Sequence, residues 1–168
     1  MSRAAYLHPG ELANILYYMQ PYNRVICVTR LATGYRVSDI LELKRSDIEQ
    51  CRKNNYWLSL VEQKTGKVRK VHITKRLCEL LDGVSGAEYV FPHRLKKDGH
   101  RTRQAVYKDF KRAVRRTLGS GTDVSVHSLR KTYAVEKYRA SGSLGRVQRD
   151  LNHSSAATTL LYALADKL

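Results

Sequence analysis

One interval of this sequence alternates in the manner of β-strands, and helical patterns enclose it on both sides. Tyr56–Val61 and Val68–Ile73 are rich in β-branched and aromatic residues, with Gln63-Lys64-Thr65-Gly66-Lys67 between them. This pattern predicts a β-hairpin. The rest of the chain carries helical spacing, so the expected class is mainly α with a small antiparallel β-sheet, an α+β fold.

Pro9 suits the first position of a helix bearing Leu12, Ile15, Leu16 and Met19, which Pro21 is expected to stop. A second helix is predicted from about Asn23 to a left-handed cap at Gly34. A short third helix from about Ser38 turns Ile40, Leu41 and Leu43 toward the core. After the hairpin, Thr74 caps a helix holding Leu77, Leu80 and Leu81. A long helix follows from about Thr102 to Leu118. Its apolar stripe is Val106, Phe110, Ala113, Val114 and Leu118, with Arg103, Lys108, Lys111, Arg112 and Arg115 largely off it. Three helices close the chain at roughly Ser128–Ala140, Ser143–Leu151 and Ser155–Ala165. Asn152 can take the left-handed turn between the last two.

No repeat or linker divides the 168 residues, so residues 1–168 read as one domain. A chain of this length with 42% apolar residues buries roughly 70% of its unfolded surface, enough for a core. His8, Pro9 and Glu11 interrupt any signal-peptide core, and no apolar run approaches the ~18 residues of a membrane helix. Cys27, Cys51 and Cys78 are odd in number and widely spaced, which predicts reduced thiols in the cytoplasm. The balance of 31 Lys and Arg against 15 Asp and Glu leaves a net charge of +16. Ten of those cations fall in Arg94–Arg116 against two acids. An anionic membrane would call for a basic amphipathic helix with Trp or Phe, and there are only one Trp and two Phe. Nucleic acid is the expected partner.

The chemistry follows from what is present near that charge. Asp39, Glu42, Asp47 and Glu49 cluster in sequence, but they read as helix caps and solvated charges. There is no Cys-x-x-Cys pair and the six His lack ligand spacing, so neither a metal nor another cofactor is expected. A phosphodiester can be attacked without metal if fixed cations neutralise its transition state. That needs a nucleophile, guanidinium groups on the non-bridging oxygens, and an acid for the leaving 5′-oxygen. Arg36 follows a glycine turn at a helix start. His127 and Arg130 lie one turn apart at another, where anions are favoured. His153 precedes the last helix, with Tyr162 nine residues on. Singly these are ordinary, since the chain has eleven Tyr and many Arg.

Together they resemble the catalytic domain of the tyrosine recombinases, the phage-integrase family. The matching pieces are Thr-Gly-Tyr-Arg-Val-Ser-Asp at 33–39, Lys-Thr-Gly at 64–66, His-Ser-Leu-Arg at 127–130, and Leu-Asn-His at 151–153 followed by Tyr162. The resemblance implies that Arg36 and Arg130 clamp the scissile phosphate. His127 lies beside the attacking tyrosine and accepts or relays its proton, and His153 hydrogen-bonds a non-bridging oxygen. Lys64 protonates the departing 5′-oxygen, Tyr162 forms a 3′-phosphotyrosyl bond, and Asp39 helps hold the site together. The implied activity is site-specific recombination (integration, excision or inversion) without metal or ATP. The alternatives are a non-catalytic DNA-binding regulatory module of this fold, or a type IB topoisomerase-like enzyme. The implied partner is double-stranded DNA, with self-association on it as dimer to tetramer and accessory DNA-bending proteins. The implied setting is a prokaryotic or phage protein at the nucleoid. On the basic helix, Arg103 and Gln104 are the candidates for base contacts, and Lys108, Lys111, Arg112 and Arg115 for phosphates. Two departures stand out, with a third that is smaller. The family's separate N-terminal core-binding domain is expected to be absent. Only six residues follow Tyr162, where many relatives have a longer tail that docks onto a neighbouring protomer, and Asn152 stands where glycine is usual.

Overall fold

Proline opens each of the first two helices. In the computed structural model, which describes residues 5–96, 98–153, 155–164 and 166, α1 (Pro9–Tyr17) has Pro9 at its start. The Glu11 carboxylate accepts the His8 N–H at 2.9 Å. α2 (Pro21–Thr33) begins at Pro21, two residues before the predicted Asn23. The proline therefore starts α2 and does not stop α1, which has ended at Tyr17. Its fixed φ and missing N–H suit a first helical position, where that donor has no partner anyway. Met19, expected on α1, lies buried in the connection. Gly34 ends α2 in the left-handed region at φ 66°.

α3 (Val37–Leu41) follows directly, and α4 (Arg45–Lys53) is a helix that the sequence pattern did not predict. It buries only Ile48 and Cys51, too thin a stripe to stand out in an otherwise polar segment. Strands β1 (Trp57–Val61) and β2 (Val68–His72) pair antiparallel, with Leu58 opposite Val71 and Leu60 opposite Arg69. α5 (Lys75–Val84) is capped by the Thr74 hydroxyl, which accepts the Leu77 N–H. Leu77 and Leu81 are buried, whereas Leu80, on the same helix, is exposed. The basic helix α6 (Arg103–Leu118) is capped by Thr102. The last three are α7 (Val126–Ser141), α8 (Leu144–Leu151) and α9 (Ala156–Ala163), capped by Ser125, Ser143 and Ser155. α7 starts two residues earlier than predicted, because the Ser125 hydroxyl takes the His127 N–H. The predicted end of the last helix, Ala165, lies outside the described residues.

Two apolar clusters hold these elements. The larger runs from Leu7 to Leu129 and includes the three free cysteines, Phe91 and Phe110. The smaller is Tyr133, Ala134, Val147 and Leu151, with Tyr162 packed on its edge. α9 rests on α7 and α8, so the tyrosine helix stands on this smaller cluster. Among the described residues, no helix is long and apolar enough to cross a membrane.

Candidate active site

The junctions between helices converge on one cleft of about 380 Å3, where Arg36, Lys64, His127, Arg130, His153 and Tyr162 all contribute to the lining. These are the six side chains named as catalytic from the sequence. Each stands at the edge of an element. Arg36 is the N-cap of α3, Lys64 lies in the hairpin turn, and His127 and Arg130 sit on the first turns of α7. Asn152 adopts φ 50°, reversing the chain after α8, and brings His153 and the start of α9 back over the cleft.

Arg130 is 3% exposed. It donates to the carbonyl oxygens of Gly34 at 2.6 Å and Leu151 at 2.5 Å, tying the end of α2 to the end of α8. Burial, then the charges of Arg30, Arg36 and Arg69, push its pKa down to about 9, still charged at neutral pH. Only two of its five N–H donors are spent on these carbonyls.

Arg36 pairs with Glu62 at 3.0 Å, and that carboxylate is fully buried. Burial by itself would push the Glu62 pKa up. The Asn152 amide, then Arg36 and Arg69, reverse this and hold it below the usual carboxylate range. Asp39, the predicted supporting residue, accepts the Arg36 N–H at 3.2 Å and the Gln63 N–H at 3.1 Å. It thereby joins α3 to the hairpin turn.

Both histidines are held toward the neutral form. Burial, reinforced by Arg130 and Arg36, lowers His153 to about 4. Burial, then Arg30, Arg130 and Arg103, lowers His127. His153 Nδ1 lies 3.3 Å from the Thr159 hydroxyl, and its ring meets Tyr162 edge-on with centroids 5.1 Å apart. His127 Nε2 lies 3.5 Å from the Tyr107 hydroxyl.

The cluster has an electrostatic surplus. Arg30, Arg69 and Arg130 are buried and Arg36 is half-buried, against the buried carboxylates Asp39 and Glu62. Four guanidinium groups against two carboxylates leave two positive charges unbalanced in a region of low dielectric. Such a surplus is costly unless an anion shares the site.

This arrangement has the parts of a phosphodiester strand-transfer site, and a match to a protein-family model extends over almost all of it. The model described as the phage integrase family matches residues 6–168. The chain belongs to the phage integrase family. A probable integrase/recombinase of Bacillus subtilis (strain 168), YoeC, is 30% identical over 142 residues, covering 80% of this chain and 73% of that one. The integrase of Escherichia phage P2 is 28% identical over 159 residues, covering 94% and 42%. Among solved structures, a XerH site-specific recombinase bound to palindromic difH substrate in a post-cleavage complex superposes with a TM-score of 0.75 at 24% identity. That match covers 97% of this chain and 50% of the other, and it is a likeness of fold. The chain thus spans about half the length of several phage-integrase relatives it matches.

The carboxylates weighed as metal ligands have other work in this phage-integrase domain. Asp47 accepts the Lys44 N–H, Glu49 pairs with Arg45, and Glu42 takes the Gln63 amide and His100. Of the basic-helix residues, Arg103 turns into the cleft, and Gln104, Lys108, Lys111 and Arg115 are exposed. Arg112 donates to Asp109 at 2.5 Å, so part of its charge is already balanced.

Several residues were missed from the sequence: Arg30 and Tyr107, which line the cleft, and behind them Glu62 paired to Arg36, Arg69 paired to Glu62, and Lys131 beside Tyr162. Arg30 is 1% exposed and donates to the Tyr35 carbonyl oxygen at 3.1 Å, just before Arg36. It lies on the same face of α2 as Ile26 and Cys27, and a charge in such a stripe was a usable signal. Lys131 Nζ lies 5.6 Å from the Tyr162 ring centre.

Gly34 is required twice over. Its φ is 66°, and a Cβ there would lie 2.6 Å from the Tyr133 ring. Gly34→Ala should therefore cost more than the ~1–2 kcal/mol of a left-handed L-residue. A urea melt should show a lower midpoint at unchanged slope. An unchanged midpoint would contradict this.

Proposed function

We propose that this domain cleaves and rejoins DNA strands through a 3′-phosphotyrosyl intermediate on Tyr162, as a site-specific recombinase. The observation that carries the reading is the surplus of guanidinium charge in and behind the cleft that Tyr162 lines. A phosphodiester supplies the missing negative charge, and its non-bridging oxygens suit the unspent N–H donors of Arg36 and Arg130.

In the first step the Tyr162 oxygen bonds to phosphorus while its proton passes to His127. The bond from phosphorus to the 5′-oxygen breaks, and Lys64 gives that oxygen a proton. Phosphate charge opposes the surrounding arginines, so it raises the pKa of His127 and His153 and favours their accepting or donating protons there. The tyrosyl ester keeps the energy of the broken bond, so a 5′-hydroxyl of another strand reverses both transfers and reseals DNA without ATP. The retained Tyr162 and Lys64 disfavour a purely DNA-binding role. Self-association on DNA, as dimer to tetramer, fits an exchange between two duplexes.

Incubation with a nicked duplex in excess chelator should give a protein–DNA adduct that survives denaturation. No adduct under any condition would contradict the reading. DNA binding should also weaken steeply with salt, with a slope of about −0.9 per phosphate neutralised. Replacing Lys111 and Arg115 together by alanine should flatten that slope, because both are exposed on α6. An unchanged slope would remove α6 from the footprint.

A further inference from the structure

Asn152 does more than turn the chain. Its left-handed φ of 50° is a conformation that glycine also adopts, and the turn alone needs no side chain. Yet its amide Nδ2 donates to Glu62 Oε2 at 2.8 Å and lies 3.1 Å from the Thr65 hydroxyl. The amide must face this way, because a carboxylate only accepts. The Thr65 hydroxyl donates to the same Glu62 oxygen at 3.2 Å, and Arg36 reaches it at 3.0 Å. One buried carboxylate oxygen therefore gathers the phosphate-facing arginine, the hairpin turn and the junction between α8 and α9.

Lys64 stands between the two residues thus engaged, Glu62 and Thr65. It is exposed, and its turn is otherwise held from the α3 side, by Asp39 on the Gln63 N–H and Glu42 on the Gln63 amide. The Asn152 contact is the tie on the opposite side, toward His153 and Tyr162. We propose that Asn152 is a positioning residue for Lys64, latching the hairpin turn to the junction that leads into the tyrosine helix. The inference rests on the strand-transfer reading. It adds that proton donation is coupled to the placement of α9, since the latch has one end on the Lys64 turn and the other on the junction into α9.

The test is single-turnover adduct formation on two suicide duplexes, one with the natural 5′-bridging oxygen and one with sulfur there. A thiolate leaves without a proton donor, so only the oxygen duplex depends on Lys64. Asn152→Gly keeps the turn and removes the amide. It should slow the oxygen duplex by about 10–10²-fold, the scale of a small misplacement of a reacting group. The sulfur duplex should react at the wild-type rate. Thr65→Val, an exposed turn position, should show the same selectivity and carries the test if the glycine variant does not fold. In Lys64→Ala, adding Asn152→Gly should slow the oxygen duplex no further. Equal slowing of both duplexes, or no slowing of either, would overturn the latch. A wild-type protein that forms adduct with neither duplex would overturn the strand-transfer reading and the latch with it.

Discussion

Lys64→Ala should cut cleavage of an ordinary duplex by about 10²–10⁴-fold, the usual worth of a general acid in the transition state. An alkoxide leaves poorly without its proton. Sulfur at the 5′-bridging position should restore cleavage to Lys64→Ala, since a thiolate needs little protonation. It should not restore Arg36→Ala or Arg130→Ala, whose proposed role is to offset charge on the non-bridging oxygens. Lys67 and Lys70 are the competing donors in the same hairpin, and both are exposed. Of these three lysines only Lys64 contributes to the cleft lining. Sulfur rescue of Lys67→Ala or Lys70→Ala, with Lys64→Ala still inactive, would show that another lysine is the acid.

Arg130 should be the most damaging arginine to lose, because it is a strut in the fold and, on the proposed reading, a clamp on the phosphate as well. Its removal leaves the Gly34 and Leu151 carbonyl oxygens without these donors, at about 1–3 kcal/mol for each buried acceptor left unsatisfied. It also removes a preorganised donor to the phosphate, about 10²–10³-fold in rate. Arg130→Lys separates the two roles. The charge survives, but a single ammonium lacks the planar fork that spans both carbonyls. A denaturant melt and single-turnover kinetics on that variant should both fall below wild type. A lysine variant matching wild type in both would contradict the fork argument.

Most of this fold was legible because its elements obey local rules. Gly34, Thr74, Thr102, Ser143 and Ser155 cap helices where their chemistry predicts, and the hairpin follows from alternation and a Lys-Thr-Gly turn. α4 escaped because two buried residues make no periodic signal. Pro21 was misread because the same ring geometry that breaks a helix interior suits a helix start. The six cleft residues were legible through family motifs, whereas the charges beneath them were not. In β1 the inward positions run Leu58, Leu60, and then Glu62 just past the strand, while Val61 is 61% exposed. Arg69 likewise points inward, its guanidinium carbon 3.9 Å from the Tyr35 ring centre. Hydrophobicity alone assigns these faces backwards at the hairpin tip. Only the partners, distant in sequence, explain why charge is buried there. Asn152 shows the same limit, since its backbone role was readable and its bond to Glu62, ninety residues away, was not.

The central claim is that Tyr162 is the nucleophile, and the most direct measurement is the site of the covalent adduct. Wild-type protein trapped on a nicked duplex in chelator, digested and mapped by mass spectrometry, should carry the nucleotide on Tyr162. Tyr162→Phe should give no adduct while binding the same duplex with nearly unchanged affinity, because only the attacking oxygen is lost. Nucleotide mapped to Tyr133, Tyr138 or Tyr107, or an adduct that persists in Tyr162→Phe, would contradict the account.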